Sequence, residues 1–224
     1  MKLLVLLSAL VAAADDFELV AARDRQDRAA LDKMAGERRS VAEQQPKDAP
    51  AQYQAALAES FSAEVAVEMR DKNAAKNAAQ AGIDAAERAV SLKPDSAEYQ
   101  RILGTLCGQM ISSNGLAALK YGTCALNAVN KAIELDPKSS MAYLSHGVGN
   151  YYLPQALGGG MDVAIKDFRK AIELNPKNAD AWLWLGLAFR RANQPEEAHK
   201  AIAKSVELNP NRVWARQQLD KTQP

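Results

Sequence analysis

From residue 82 onward, small and apolar residues recur with a helical step, in four sets that each end five residues before a proline. These prolines are Pro94, Pro137, Pro176 and Pro210, and the spacing between them shortens toward the C-terminus. Steps of three and four residues place each set on one face of a helix, and a proline cannot continue that helix. The pattern therefore predicts repeated helical hairpins. The sets are Gly82, Ala86 and Ala89; Ala125, Val129 and Ala132; Ala164, Phe168 and Ala171; and Ala198, Ile202 and Ser205.

A second apolar stripe begins after each proline. In the last unit it reads W-x2-L-G-x2-F from Trp182, and it is followed by A-x3-I from Ala198 and by Pro210. This layout resembles the tetratricopeptide repeat (TPR), a helix–turn–helix unit of about 34 residues. The resemblance covers about Pro50 to Arg212. It implies an all-α fold, a right-handed superhelical solenoid of about four units.

The distance between the close-packing positions of the two helices in a unit grows toward the N-terminus. It is 12 residues from Gly186 to Ala198 and 25 residues from Leu57 to Gly82. We therefore expect longer N-terminal hairpins, with the extra length of the third unit in a loop over 153–160. The predicted organisation is a signal peptide at 1–14, a helical segment at 15–49, repeats at about 50–96, 97–139, 140–178 and 179–212, and a capping helix and tail at 213–224.

The N-terminus has the pattern of a cleavable secretory signal. Lys2 precedes an apolar run from Leu3 to Ala13. The small residues at 12–14, all alanine, are followed by Asp15 and Asp16. The run is too short to span a bilayer as a helix, so we expect no transmembrane span in the mature chain. Cleavage after Ala14 would deliver the protein to the periplasm or outside the cell. The alternative is a buried N-terminal helix.

Composition gives no sign of nucleic-acid binding or catalysis. The 28 basic and 27 acidic residues leave a formal charge of +1, so no charge excess favours nucleic acid. The chain has two histidines, and it lacks the HExxH, CxxC and GxSxG motifs. We expect His146 to be a partly buried packing residue and His199 to be solvated. The sequence thus predicts no enzyme activity, no cofactor and no metal.

Cys107 and Cys124 lie eight and nine residues from Gly115, on opposite sides of a predicted turn. Similar heights in an antiparallel hairpin would suit a structural disulfide in an exported protein. Two small buried thiols are an equally good interpretation. The sequence leaves both open.

The first helix of each unit should line the inner, concave face of the solenoid. Aromatic and arginine side chains on such a face are typical anchors of binding grooves. The alternative for Tyr151 and Tyr152 is packing against the neighbouring Pro-Gly loop. By helical period, the exposed candidates are Arg101, Thr105, Gln109, Leu144, Val148, Tyr151, Tyr152, Leu183, Leu187, Arg190 and Arg191.

The sequence therefore predicts an exported, non-catalytic scaffold that binds a protein or peptide segment on this face. A weaker resemblance suggests an alternative. The Leu-Pro…Gly-Gly…Ala-x3-Phe layout between Leu153 and Phe168 is similar to that of the periplasmic TPR-like component associated with TRAP-type transporters. It implies an enclosed pocket and a carrier of a small apolar ligand.

Overall fold

The computed structural model describes residues 16–113 and 118–222, which are helical and contain no strand. The predicted signal peptide and the turn expected at Asn114 and Gly115 lie outside the described residues. The helices are α1 (16–24), α2 (Arg28–Gln44), α3 (Ala49–Glu68), α4 (Lys72–Leu92), α5 (Ala97–Ser113), α6 (Ala118–Leu135), α7 (Ser140–Tyr152), α8 (Met161–Leu174), α9 (Ala179–Arg191), α10 (Pro195–Leu208) and α11 (Val213–Asp220).

Four consecutive hairpins form the solenoid predicted from the repeat: α3–α4, α5–α6, α7–α8 and α9–α10. Their helices have 20 and 21, 17 and 18, 13 and 14, and 13 and 14 residues. The expectation of longer N-terminal hairpins is confirmed. The extra length of the third unit forms a loop that contains a short 3₁₀ helix, Gln155–Leu157, as expected.

Polar caps start the first helices of the two shorter hairpins. The side chains of Ser139 and Asn178 accept hydrogen bonds from the backbone N–H groups of Ala142 and Ala181. Such caps satisfy donors that have no partner inside the helix. Each cap follows a repeat proline by two residues, so one short segment ends a helix and starts the next.

Glycines bring the two helices of a hairpin into close contact. A Cβ added at Gly186 would lie 2.4 Å from Cγ1 of Ile202 and 2.9 Å from the carbonyl oxygen of Ala198. At Gly104 it would lie 2.4 Å from Cγ2 of Val129. These are the positions that the repeat pattern singled out, and only a residue without a side chain fits there.

The tall α5–α6 hairpin is cross-linked by a disulfide between Cys107 and Cys124. Cys107 is fully buried in the N-terminal core. The structure thus contains the first of the two arrangements that the sequence left open.

The two ends of the solenoid are covered differently. At the C-terminus, Ala215 of α11 packs with Leu183, Leu187 and Ile202 and covers the apolar face of the last hairpin. At the N-terminus, α1 and α2 precede the first hairpin, and Leu19 of α1 is buried in its core. The C-terminal end of α1 also reaches the start of α9, where Arg23 forms an ion pair with Asp180.

Candidate functional site

The inner face is less open than the sequence analysis expected. Arg101, Leu144, Leu183 and Leu187 are buried, so the prediction that these four side chains are exposed was wrong. Leu183 and Leu187 lie beneath α11, and Leu144 packs into the core shared by α7, α8 and α9. The helical period located the face correctly, but it could not show what packs on it.

Arg101 is held by its own helix. Its Nε and Nη2 atoms donate to the carboxylate of Glu98 at 2.8 and 2.5 Å, and the hydroxyl of Tyr53 donates to the same group at 3.0 Å. Burial raises the pKa of Glu98, but the hydrogen bonds and charge of Arg101 outweigh it, so the pKa is lowered overall. Arg101 is therefore buried against Glu98, and it is Glu98 that links α5 to Tyr53 of α3.

Gln109 and Thr105, two further candidates on α5, also contact neighbouring helices. The Gln109 side-chain amide donates to the carbonyl oxygen of Ser60 on α3 at 2.9 Å. The hydroxyls of Thr105 and Ser145 on α7 are 3.0 Å apart. Both candidates are half-buried, so this part of the inner face joins the helices to one another.

An aromatic cluster occupies the inner face of α7, α9 and α11. The ring centroids of Tyr151 and Trp184 are 5.5 Å apart, and those of Trp184 and Trp214 are also 5.5 Å apart. Tyr152 lies 5.0 Å from Tyr151 and keeps 45% of its surface exposed. Phe168, fully buried, stacks on Trp184 from the core side. We call Tyr151, Tyr152, Trp184 and Trp214 the aromatic cluster.

Two arginines border the aromatic cluster. The guanidinium of Arg191 lies 4.9 Å from the ring centroid of Tyr151 and donates to the Tyr151 carbonyl oxygen at 2.7 Å. Arg190, half-buried, donates to Gln218 on α11 at 3.0 Å. Val148, the remaining candidate, is half-buried on the same helix as Tyr151. The structure thus brings together Val148, both tyrosines and Arg191, whereas Arg190 contacts α11.

Trp184 and Trp214 were missed as candidate site residues. Trp184 follows Asp180 by four residues and precedes Arg191 by seven, which is the spacing of one helix face. That signal is present in the sequence, but the repeat pattern singles out the neighbouring Trp182 instead. Trp214 was predicted only as part of a capping helix.

A buried ion network lies next to the aromatic cluster, and nothing in the sequence analysis predicted it. Arg23 contacts Asp180 at 2.7 Å and Asp24 at 2.6 Å. Arg212 contacts Glu64 at 2.8 Å and also pairs with Glu68. We call these six residues the ion network. Arg23 and Asp180 are 157 residues apart in the chain. Helical periodicity does not predict contacts over such a separation.

The ion network changes the ionisation of its members. Burial opposes the charge of Arg23, but Asp180, Glu64 and Asp24 raise its pKa well above the usual value. Burial raises the pKa of Glu68 to about 7, against the lowering effect of Arg212. The pKa of Asp180 is lowered, because Arg23 and Arg212 outweigh its burial. The surroundings of Asp180 therefore favour its charged form, whereas burial favours the neutral form of Glu68.

His146 takes part in a small polar cluster. Its Nδ1 atom is 2.9 Å from the Asp167 carboxylate, which also accepts a hydrogen bond from Asn150 at 2.8 Å. His199, half-buried, is 3.1 Å from the Thr222 hydroxyl. In the described ranges, no group of three or more potential ligands is placed to hold a metal ion. None of the described helices is long and apolar enough to cross a membrane.

Two open depressions lie on the surface of the described part of the chain. One, of about 370 Å³, is lined by Asp84, Glu87, Arg88 and Ser91. The other, of about 270 Å³, lies among α2, α3 and α4, and the buried Glu59 at its floor is paired with Arg39 at 3.4 Å. Neither resembles the enclosed apolar pocket that a small-ligand carrier needs, so they give that alternative no support.

Two family models match the chain. Residues 11–155, more than half of it, match the model described as regulator of microtubule dynamics protein 1-3. Residues 158–213 match a tetratricopeptide repeat model. A search of curated proteins gave no match.

Two solved structures have a similar fold. A thermophilic TPR protein of Thermus thermophilus aligns with a TM-score of 0.64 at 17% identity, covering 87% of this chain and 91% of its own. PilF of Pseudomonas aeruginosa aligns with a TM-score of 0.51 at 16% identity, covering 73% of this chain and 68% of its own. At these identities the likeness concerns the fold alone.

Proposed function

The chain belongs to the family described as regulator of microtubule dynamics protein 1-3 and is a tetratricopeptide repeat protein, and from that premise we propose that it is a non-catalytic scaffold that binds a segment of another protein. The proposed binding surface is the inner face of α7, α9 and α11. It is smaller than the full concave face expected from the sequence, because the candidate side chains of α5 make contacts with α3 and α7.

The aromatic cluster carries this proposal. Large rings that are partly exposed and held by packing supply contact area at a low cost in conformational entropy. Tyr152 is 45% exposed, yet its ring touches Tyr151 and lies within 6.2 Å of Trp184. Such a ring is preorganised for a partner, since little side-chain freedom remains to be lost on binding.

The arginines at the border indicate the chemistry of the partner. Arg191 is exposed, and its guanidinium already lies over the ring of Tyr151. A carboxylate of the partner could bind this guanidinium while an apolar side chain rests on Tyr152. We therefore propose an extended or helical segment that pairs an acidic residue with an apolar or aromatic one.

We also propose that the protein acts in an exported, oxidising location. Two independent features support this: the signal-like pattern of Met1–Ala14 and the disulfide between Cys107 and Cys124. Disulfides of this kind persist mainly outside the reducing cytosol.

Site-specific crosslinking tests the binding surface. A photoreactive phenylalanine placed at Tyr152 of the full chain should crosslink to one partner in the native host, where mass spectrometry can identify it. With the purified partner, Tyr152→Ala should weaken binding by about tenfold or more, as loss of a central aromatic anchor does.

Val41→Ala is the matched control. Val41 lies on α2, away from the aromatic cluster, and has the same 45% exposure as Tyr152. Its variant should bind as the parent protein does. The proposal would be contradicted if Tyr152→Ala bound the partner as tightly as the parent does. It would also be contradicted if the photoreactive phenylalanine crosslinked the partner from position 41 and not from position 152.

A further inference from the structure

Helix α1 joins the two ends of the solenoid. Arg23 on α1 pairs with Asp180 in the first turn of α9 at 2.7 Å. From the other side, Arg212 just before α11 donates to the carbonyl oxygen of Arg23 at 3.3 Å. The amide of Asn209 donates to Asp24 at 2.7 Å. Residues that follow the last hairpin therefore close onto residues that precede the first.

These contacts are mostly ionic. Arg23 and Asp24 are 8% and 5% exposed, and Arg212 is 1% exposed. The apolar part of the attachment is small: Leu19 and Ala22 are buried, whereas Phe17 on the same helix remains 75% exposed. Removing charges from water is unfavourable, and ion pairing offsets that cost only while the geometry of the partners is kept. We therefore expect that breaking one ion pair loosens the attachment of α1 as a whole.

The charges of the ion network do not balance. Two guanidinium groups face four carboxylates, so the network carries a net charge of −2 when every member is ionised. Carboxylates that share too few cations repel one another at short range. Arg212 contacts both Glu64 and Glu68 on α3, and it is therefore the group that holds these acids and α11 together.

The ion network also touches the proposed binding surface. The Arg212 guanidinium lies 5.7 Å from the ring centroid of Trp214. Asp180 precedes Trp184 by one helical turn on the same face of α9. The ion network thus adjoins two rings of the aromatic cluster: Arg212 lies over Trp214, and Asp180 lies one turn before Trp184.

We propose that α1 is a clasp: it holds the two ends of the solenoid together through buried ion pairs, and its release opens the inner face beside Trp184 and Trp214. The clasp controls access to the Trp184 and Trp214 side of the aromatic cluster, whereas Tyr152 is exposed with α1 in place. Its role in partner binding rests on the proposed function, but its existence does not, because release of α1 is measurable without a partner.

Hydrogen exchange of the full chain, followed by mass spectrometry, tests the clasp. Asp180→Asn weakens the ion pairs of Asp180 with Arg23 and Arg212 and keeps the shape of the side chain. Arg212→Met removes the central cation. In each variant, amides of α1 should exchange on the order of tenfold faster than in the parent, while those of α5 and α8 keep their protection. If Arg212→Met unfolds the whole protein, the milder Asp180→Asn still tests the proposal.

Acrylamide quenching of tryptophan fluorescence provides the second measurement. Opening beside Trp184 and Trp214 should raise the quenching constant in both variants by roughly twofold. Lys204→Met is the control, because it removes an exposed ion pair with Glu207 on α10, and it should change neither measurement.

The proposal is overturned if the amides of α1 exchange as in the parent, if exchange is accelerated equally in every helix, or if the quenching constant is unchanged. Failure of Tyr152→Ala to weaken binding would overturn the proposed function and leave these outcomes intact.

Discussion

The two parts of the inner face are held by different forces. Between α1, α3 and the start of α9, buried guanidinium and carboxylate groups make the contacts. Along α7, α9 and α11, aromatic rings make them, with neighbouring centroids 5.0 or 5.5 Å apart. Charges in a low-dielectric interior interact strongly but demand exact partners, whereas rings tolerate small displacements. The comparison suggests that the ionic part acts as the closure and the aromatic part as the binding surface.

The largest expected effect comes from breaking the ionic part. Arg212→Met leaves Glu64 and Glu68 without their main cation, and removal of one partner from a buried ion pair costs about 3–5 kcal/mol of the free energy of unfolding. Urea unfolding followed by circular dichroism measures this loss. Arg191→Met, which removes the exposed arginine beside Tyr151, should cost less than about 1 kcal/mol. Equal losses in the two variants would refute the distinction.

A pH series separates the two parts further. The folded-state pKa of Glu68, about 7 against an ordinary value of 4.5, means that the native state binds a proton which the unfolded chain has released. The stability contributed by this proton is present below about pH 4.5 and is lost as the pH rises to about 7, by roughly 1–3 kcal/mol. Asp180, whose pKa is lowered, stays ionised throughout this range.

Glu68→Gln should remove most of this decline. The charged and polar groups that face Glu68 are Arg212, Glu64 and Gln26, and they remain in the variant. Glu59, whose pKa is also raised by burial, contributes equally to both proteins. Thermal unfolding of parent and variant between pH 5 and pH 8 makes the comparison, and parallel curves would show that Glu68 is not the titrating group.

The last comparison concerns packing in the C-terminal part. Gly186→Ala places a methyl group against Ile202 and should destabilise the fold by about 1–3 kcal/mol. Gly149, on α7, has no atom within 4 Å of an added Cβ. Gly149→Ala should therefore be neutral or stabilise by up to about 1 kcal/mol, because alanine favours the helix. Denaturant midpoints check both values. If both substitutions changed the free energy of unfolding in the same direction, the close contact at Gly186 would not explain the stability of the α9–α10 hairpin.

Local patterns in the sequence were sufficient to predict the hairpins. The close-packing residues Gly186 and Ala198 and the proline at 210 all lie within one unit, so their spacing reports the helix ends and the contact between its two helices. The long N-terminal hairpins and the loop after Tyr152 followed from the same counting. Tyr151, Tyr152 and Arg191 were found for the same reason, because one helix carries each of these candidates on a face that the period defines.

The sequence alone therefore determined what happens within a single hairpin: which segments are helical, how they pair and which face of each turns inward. The tertiary structure alone decided what meets across the solenoid, since the contacts of Arg23 with Asp180 and of Arg212 with Glu68 join residues far apart in the chain. The burial of Leu183 and Leu187 beneath α11 likewise depends on tertiary packing. The physical reason is that helical periodicity is a local property, whereas the curvature that brings the two ends together accumulates over every hairpin in the stack.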